Sequence, residues 1–248
     1  TFNISTAASF VVAGCGVPVA KHGNRSMTSK SGSADVLNAL GINIKLDPEK
    51  VTDCINNIGI GFMFAPALHP AMKFAMGARK SLAIRTVFNI LGPLCNPANV
   101  KRQLMGIFDS SFTDTVAKVL QRLGSIHAMV VHGNDGLDEI SITDSTIFSE
   151  LKPDGIIYSG SIDPSSFNIN KVSLDSIKGG TPKQNADIIR SIYNGDKGPH
   201  RDIVLLNAAA GILVGGKATT MNEGIDAAID CIDSGKANSL LQSLAKVQ

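Results

Sequence analysis

Apolar positions along this chain recur at two alternating periods. Spacings of three and four residues predict helices over 6–14, 33–40, 113–123, 182–193, 201–214, 221–232 and 237–247. Short apolar runs at 17–20, 58–64, 103–108 and 128–132 predict buried strands. Asp47-Pro48-Glu49 marks a further helix start, with Asp as the cap and proline at the first helical position, and that helix runs to residue 57. Helices are also expected at 69–77 and 78–91, stopped by Gly92-Pro93. From 136 to 169 the pattern turns β-rich, with short alternating runs. Strands alternating with helices predict an α/β sandwich, its central mixed, largely parallel sheet flanked by helices and carrying antiparallel strands at one edge. With no repeat, low-complexity tract or long linker, residues 1–248 read as one domain.

Composition narrows the function classes. A chain of 248 residues that is 44% hydrophobic can bury a full core. A net charge of +2 lacks the strong basic face of a general nucleic-acid binder, and without Trp and with 5% aromatics there is no stacking platform for single strands. Cys15, Cys54, Cys95 and Cys231 are scattered without CxxC spacing and read as buried thiols in a reducing compartment. No apolar run approaches the length of a membrane span and no secretory signal is visible. The expectation is a cytoplasmic protein without a membrane or nucleic-acid partner. The chain opens on Thr1, already inside a motif, and reads as a fragment of a longer polypeptide.

Chemistry concentrates in three places. From Lys21 to Ala34 the chain carries four basic side chains, five hydroxyls and two glycines without a carboxylate, and Asp35 then opens a helical pattern. Cationic groups together with hydroxyl and backbone donors are what a polyphosphate requires; a solvated polar loop would show the same composition. Thr1 to Thr6 form a second hydroxyl-rich helix entrance, in which Ser5 or Thr6 could equally act as a cap. Asp138 and Glu139 lie in a loop after the apolar strand at 128–131. Two adjacent carboxylates at the carboxyl end of a strand could hold magnesium together with phosphate oxygens, or form an ordinary solvated turn. Arg79 follows an apolar segment and could fork a small aromatic carboxylate, or simply lie on a helix surface. The run Gly211-Ile212-Leu213-Val214-Gly215-Gly216-Lys217 imitates a P-loop, but Ala218 stands where the metal-binding hydroxyl belongs and the run closes a helix.

Phe2-Asn3-Ile4-Ser5-Thr6, the run Lys21 to Asp35, Ala78-Arg79 with Asn89-Ile90-Leu91-Gly92-Pro93-Leu94, and Gly136-Leu137-Asp138-Glu139 together resemble the anthranilate phosphoribosyltransferase family, in the expected order and over nearly the whole chain. The resemblance implies the nucleoside phosphorylase/phosphoribosyltransferase catalytic-domain fold and transfer of phosphoribosyl from PRPP to anthranilate. It implies PRPP contacts at Thr1, Asn3, Ile4, Ser5, Thr6, Lys21, His22, Gly23, Asn24, Arg25, Ser26, Met27, Thr28, Ser29 and Ser33. Asn24 and Arg79 would contact anthranilate, with His22 and His69 lining its approach. Ser5 would be one magnesium ligand, and Asp138 and Glu139 a second Mg2+ site, making two ions. No covalent nucleophile is implied. The family's glycine-rich GTGGD-type loop and small N-terminal helical domain, through which the parent enzyme would form a homodimer, precede the matched segment, so this stretch alone is expected to be an incomplete enzyme. A pyrimidine nucleoside phosphorylase and a non-catalytic nucleic-acid-binding relative of the same fold are the alternatives.

Overall fold

The computed structural model describes residues 1–26, 30–69 and 88–248. Helix α1 (Ile4–Gly14) starts two residues earlier than its apolar spacing suggests, because the Asn3 carbonyl accepts from Ala7 N at 3.0 Å and closes the first turn. The first strand is displaced the other way. Pro18 has no N–H to donate, and β1 (Val19–Gly23) begins just after it. Lys21, His22 and Gly23, expected in a loop, are therefore strand residues.

Helix α2 (Ser33–Ala39) follows, then α3 (Pro48–Asn57), where Asp47 Oδ1 accepts from Lys50 N at 2.8 Å as the Asp-Pro-Glu signal requires. Strand β2 (Ile60–Phe64) pairs parallel with β1, Lys21 opposite Phe62 and Gly23 opposite Phe64. A short helix, α4 (Ala65–Leu68), leads to His69. The expected helices at 69–77 and 78–91 fall largely on residues 70–87, outside the described residues. Helix α5 (Phe88–Leu94) passes through Gly92-Pro93 rather than stopping there: Pro93 sits in the last turn, and Cys95 N closes the helix on the Leu91 and Gly92 carbonyls.

Strand β3 (Arg102–Gly106), helix α6 (Thr113–Arg122) and strand β4 (His127–Gly133) form a parallel β-α-β unit. Strands β5 (Thr146–Leu151) and β6 (Ile157–Ile162) continue it antiparallel, which is the edge expected from the β-rich stretch. Among the described residues the mixed sheet comes in two sections, β1-β2 and β3-β4-β5-β6.

Four helices complete the chain: α7 (Pro182–Tyr193), α8 (Pro199–Gly215), α9 (Met221–Asp233) and α10 (Lys236–Ala245). α1 and α8 are apolar nearly all round and share one core, as helices buried on every side must be. Their approach is set by Gly211, where a Cβ would lie 2.6 Å from Val12 Cγ2. Gly216, at φ 78°, ends α8 in the left-handed region, so the P-loop-like run is a helix terminus.

Gly211→Leu is expected to push α1 and α8 apart and destabilise the fold by about 1–3 kcal/mol. Urea unfolding checks this as a lower midpoint at unchanged slope.

Candidate active site

The N-terminus of α1, the carboxyl end of β1 and the loop after β4 meet at one cavity of about 1100 Å3. Ser5, Lys21, His22, Gly23, Asn24, His69, Asp138 and Glu139 all line it. The cationic run and the acidic pair, far apart in sequence, thus face the same space. At their junction Ser5 is held from both sides: its backbone N donates to Glu139 Oε1 at 3.2 Å, and Lys21 Nζ donates to its hydroxyl at 3.2 Å.

The other predicted contacts divide into those that face the cavity and those that shape its wall. Ile4 and Thr6 are 1% exposed and turn into the core, whereas Thr1 is exposed. The Asn3 amide is occupied by the protein: Nδ2 donates to Ser31 O at 3.1 Å, and Oδ1 accepts from Ser31 Oγ at 3.1 Å and Asn185 Nδ2 at 2.9 Å. The Asn24 carbonyl accepts from Ala34 N at 3.1 Å and Ser33 Oγ at 3.3 Å, folding the basic run back on itself. Arg25 turns away from the cavity to pair with Asp35 at 3.0 Å, and Ser26 N and Gly32 N each donate to the same carboxylate at 3.0 Å. His22 and His69 meet edge to face, Nε2 to Nε2 at 3.1 Å. Met27, Thr28, Ser29 and Arg79 lie outside the described residues.

Several wall residues escaped the sequence reading. Asn207, a lone amide in the apolar pattern of α8, lines the cavity and hydrogen-bonds the Ile140 backbone. Gly106 ends β3 where a Cβ would lie 1.6 Å from Asp138 O, so the acidic loop can sit on this strand only if the residue there is glycine. Asn96 Nδ2 donates to Ala20 O on β1 at 3.2 Å. Asn207 stands out as one polar residue among apolar ones, but the loop residue it holds, Ile140, is 67 residues away.

The sequence model described as "Glycosyl transferase family, a/b domain" matches residues 1–238. The chain is 50% identical to the anthranilate phosphoribosyltransferase of Symbiobacterium thermophilum, over 98% of this chain and 71% of that one. It is 54% identical to that of Acetivibrio thermocellus, over 96% and 68%. The crystal structure of the Thermus thermophilus enzyme superposes with a TM-score of 0.90 at 39% identity, over 98% of this chain and 72% of that one. The chain belongs to the anthranilate phosphoribosyltransferase family. Two structures of the Saccharomyces cerevisiae anthranilate phosphoribosyltransferase are also similar. One, in complex with PRPP and Mg, has a TM-score of 0.89 at 30% identity over 98% and 69% of the two chains. The other, in complex with 4-fluoroanthranilate, has a TM-score of 0.87 at 28% identity over 99% and 68%.

In this anthranilate phosphoribosyltransferase family member the charges at the cavity wall are out of balance. Burial, and next the Asp138 carboxylate alongside, push Glu139 up to about 7 against the opposite pull of Lys21 and Ser5. Burial lowers Lys21, with Glu139 only partly restoring it. Burial, then the neighbouring His69, hold His22 below the usual histidine range, which favours the neutral ring. The junction is thus short of countercharge on its acidic side. Among the described residues no three His, Cys, Asp or Glu side chains cluster as a metal cage. What the wall offers is two carboxylates and a hydroxyl, hard oxygens suited to an ion that completes its shell with water and substrate oxygens.

Burial opposes ionisation of Asp35, but donation from Ser26 N and Gly32 N together with Arg25 outweighs it and holds the carboxyl below its ordinary range. Its contribution to stability is complete above the ordinary carboxylate value near about 4 and is lost as pH falls through the lower folded-state value. Asp35→Asn is therefore expected to cost about 1 kcal/mol at neutral pH. In urea unfolding from neutrality to about pH 2, the two proteins should converge in stability at the acid end.

Proposed function

We propose that this chain carries out Mg2+-dependent transfer of the 5-phosphoribosyl group from PRPP to the amine of anthranilate. The products are N-(5-phosphoribosyl)anthranilate and pyrophosphate, in tryptophan biosynthesis. The observation that carries this reading is the Lys21–Ser5–Glu139 junction, a cation, a hydroxyl and a carboxylate in contact on the wall of one cavity. A donor with two linked phosphates needs both halves: cationic and hydroxyl donors for its oxygens, and carboxylates for the metal that accompanies them. The ligands of the yeast structures support the same donor and acceptor classes.

In this mechanism the protein supplies no covalent nucleophile. Lys21 and the hydroxyls of Ser5, Thr28 and Ser29 hold the diphosphate, Ser33 braces the Asn24 carbonyl behind them, and the segment Thr1–Thr6 frames the donor from the α1 side. Asn24 and Arg79 hold anthranilate, with Arg79 forking its carboxylate. His22 and His69 line its approach. Ser5, Asp138 and Glu139 would hold magnesium, two ions in this reading, and when bound the metal supplies positive charge to the departing pyrophosphate. As the ribosyl C1 becomes oxocarbenium-like, the anthranilate amine attacks from the face opposite the leaving group. Catalysis then rests on alignment and on charges fixed in advance. We also place the enzyme in the cytoplasm, as a homodimer formed through the family's N-terminal helical domain. No described helix is long and apolar enough to cross a membrane.

Lys21→Ala and Glu139→Gln are each expected to lower kcat/KM by 100-fold or more, following a loss of about 2.7–4 kcal/mol for one preorganised contact. Loss of anthranilate fluorescence on adding PRPP and Mg2+ measures this. Arg79→Ala should instead raise the KM for anthranilate. Product formation from thymidine and phosphate, in place of PRPP and anthranilate, would favour a pyrimidine nucleoside phosphorylase.

A further inference from the structure

The loop between β4 and β5 carries the acidic pair, and its backbone is fastened on both sides of that pair. On the near side Gly133 N donates to Leu137 O at 2.8 Å and Asp135 accepts from Leu137 N at 3.1 Å; Asp135 also reaches across the pair to accept from the hydroxyls of Ser141 and Thr143. On the far side Ser141 N donates to Thr146 Oγ1 at 2.9 Å, and Ile140, directly after the pair, is held from another part of the fold. Asn207, in the middle of α8 and 1% exposed, accepts from Ile140 N through Oδ1 at 2.9 Å and donates from Nδ2 to Ile140 O at 2.8 Å. The same Nδ2 donates to Ile203 O, one helical turn back, at 2.9 Å. A single amide thus grips both polar groups of the residue that follows Glu139, as a neighbouring strand would. Ile140 is itself fully buried, so this grip sets where the chain re-enters the core. Between the two fastenings Asp138 and Glu139 are left facing the cavity, with Asp138 O lying against Gly106.

We infer that Asn207 is a positioning residue for the reaction: its amide is engaged by Ile140 and Ile203, and its clamp on the Ile140 backbone fixes the Asp138–Glu139 pair in the geometry that takes the divalent ion. The inference rests on the reading of that pair as the metal site. Groups that orient metal-binding carboxylates matter at the level of affinity, and their loss typically costs about 10–100-fold. A merely structural asparagine would change stability and leave metal affinity alone.

The test uses Asn207→Ser in the full-length protein. A serine hydroxyl in a helix bonds back to the carbonyl four residues earlier, here Ile203 O, so the variant keeps the helix contact and loses only the clamp on the loop. Asn207→Ala is the second variant, each compared with wild type on its folded fraction. Mn2+ binding in the presence of inorganic pyrophosphate, followed by the electron paramagnetic resonance of free Mn2+, should weaken at least tenfold in both variants. Pyrophosphate binding without metal should stay within twofold, and added Mg2+ should recover much of the lost kcat. Glu139→Gln serves as the reference for direct loss of a ligand. Metal affinity unchanged within twofold in folded Asn207→Ser, against a loss in Glu139→Gln, would overturn the role of Asn207 alone. No loss in either protein would overturn the metal reading of the acidic pair and the clamp with it.

Discussion

The site depends on the contact that joins three distant pieces of chain at Ser5. Glu139 comes from a loop 134 residues further on, Lys21 from the strand 16 residues on, and Ser5 sits in the first turn of the helix between them. Neither charged partner is in a comfortable electrostatic state: burial pushes the acid toward neutrality and the amine the same way, and each restores the other only in part. Half-buried opposite charges of this kind add little to the stability of a fold, because desolvation offsets much of what attraction returns. The value of the pair lies in holding opposite charges on the wall of a cavity, unsatisfied enough to favour a ligand that carries both signs.

The scaffold keeps these charges from relaxing together. β1 is pinned by β2, and the Asn24 carbonyl by Ala34 N and Ser33, while Asp35 draws Arg25 off the cavity wall and gathers the loop behind it. The basic run is therefore not a uniform field. Lys21 faces the cavity and Arg25 does not, a distinction that hydrogen-bond geometry makes and composition cannot.

How much of this was legible in the sequence follows from how local each signal is. The helix at 182–193 was bounded correctly because its start is written in neighbouring residues, with Thr181 accepting from Gln184 N and Pro182 at the first position. β1 was displaced because its extent is decided by pairing with β2, about 40 residues away. The two halves of the site could be read from charge pattern and from family resemblance. Asn207 could not, since an amide inside an apolar helix looks the same whether it fills a gap or holds a loop. Nor could the junction that Asn3 makes with Ser31 and Asn185, since its partners lie 28 and 182 residues away.

That junction bears on the order in which the molecule assembles. Asn3 receives Asn185 across 182 residues, Tyr193 Oη donates to the Ala7 carbonyl across 186, and the Cys231 thiol reaches the Val11 carbonyl across 220. The first helix is thus seated by the last third of the chain. During synthesis, which proceeds at about 5–20 residues per second, α1 emerges before these partners and waits for them until α9 has followed. Contacts of such long range are the slow ones to close. Ser5 rides on that helix, so the cavity wall it forms depends on contacts made with the last third of the chain.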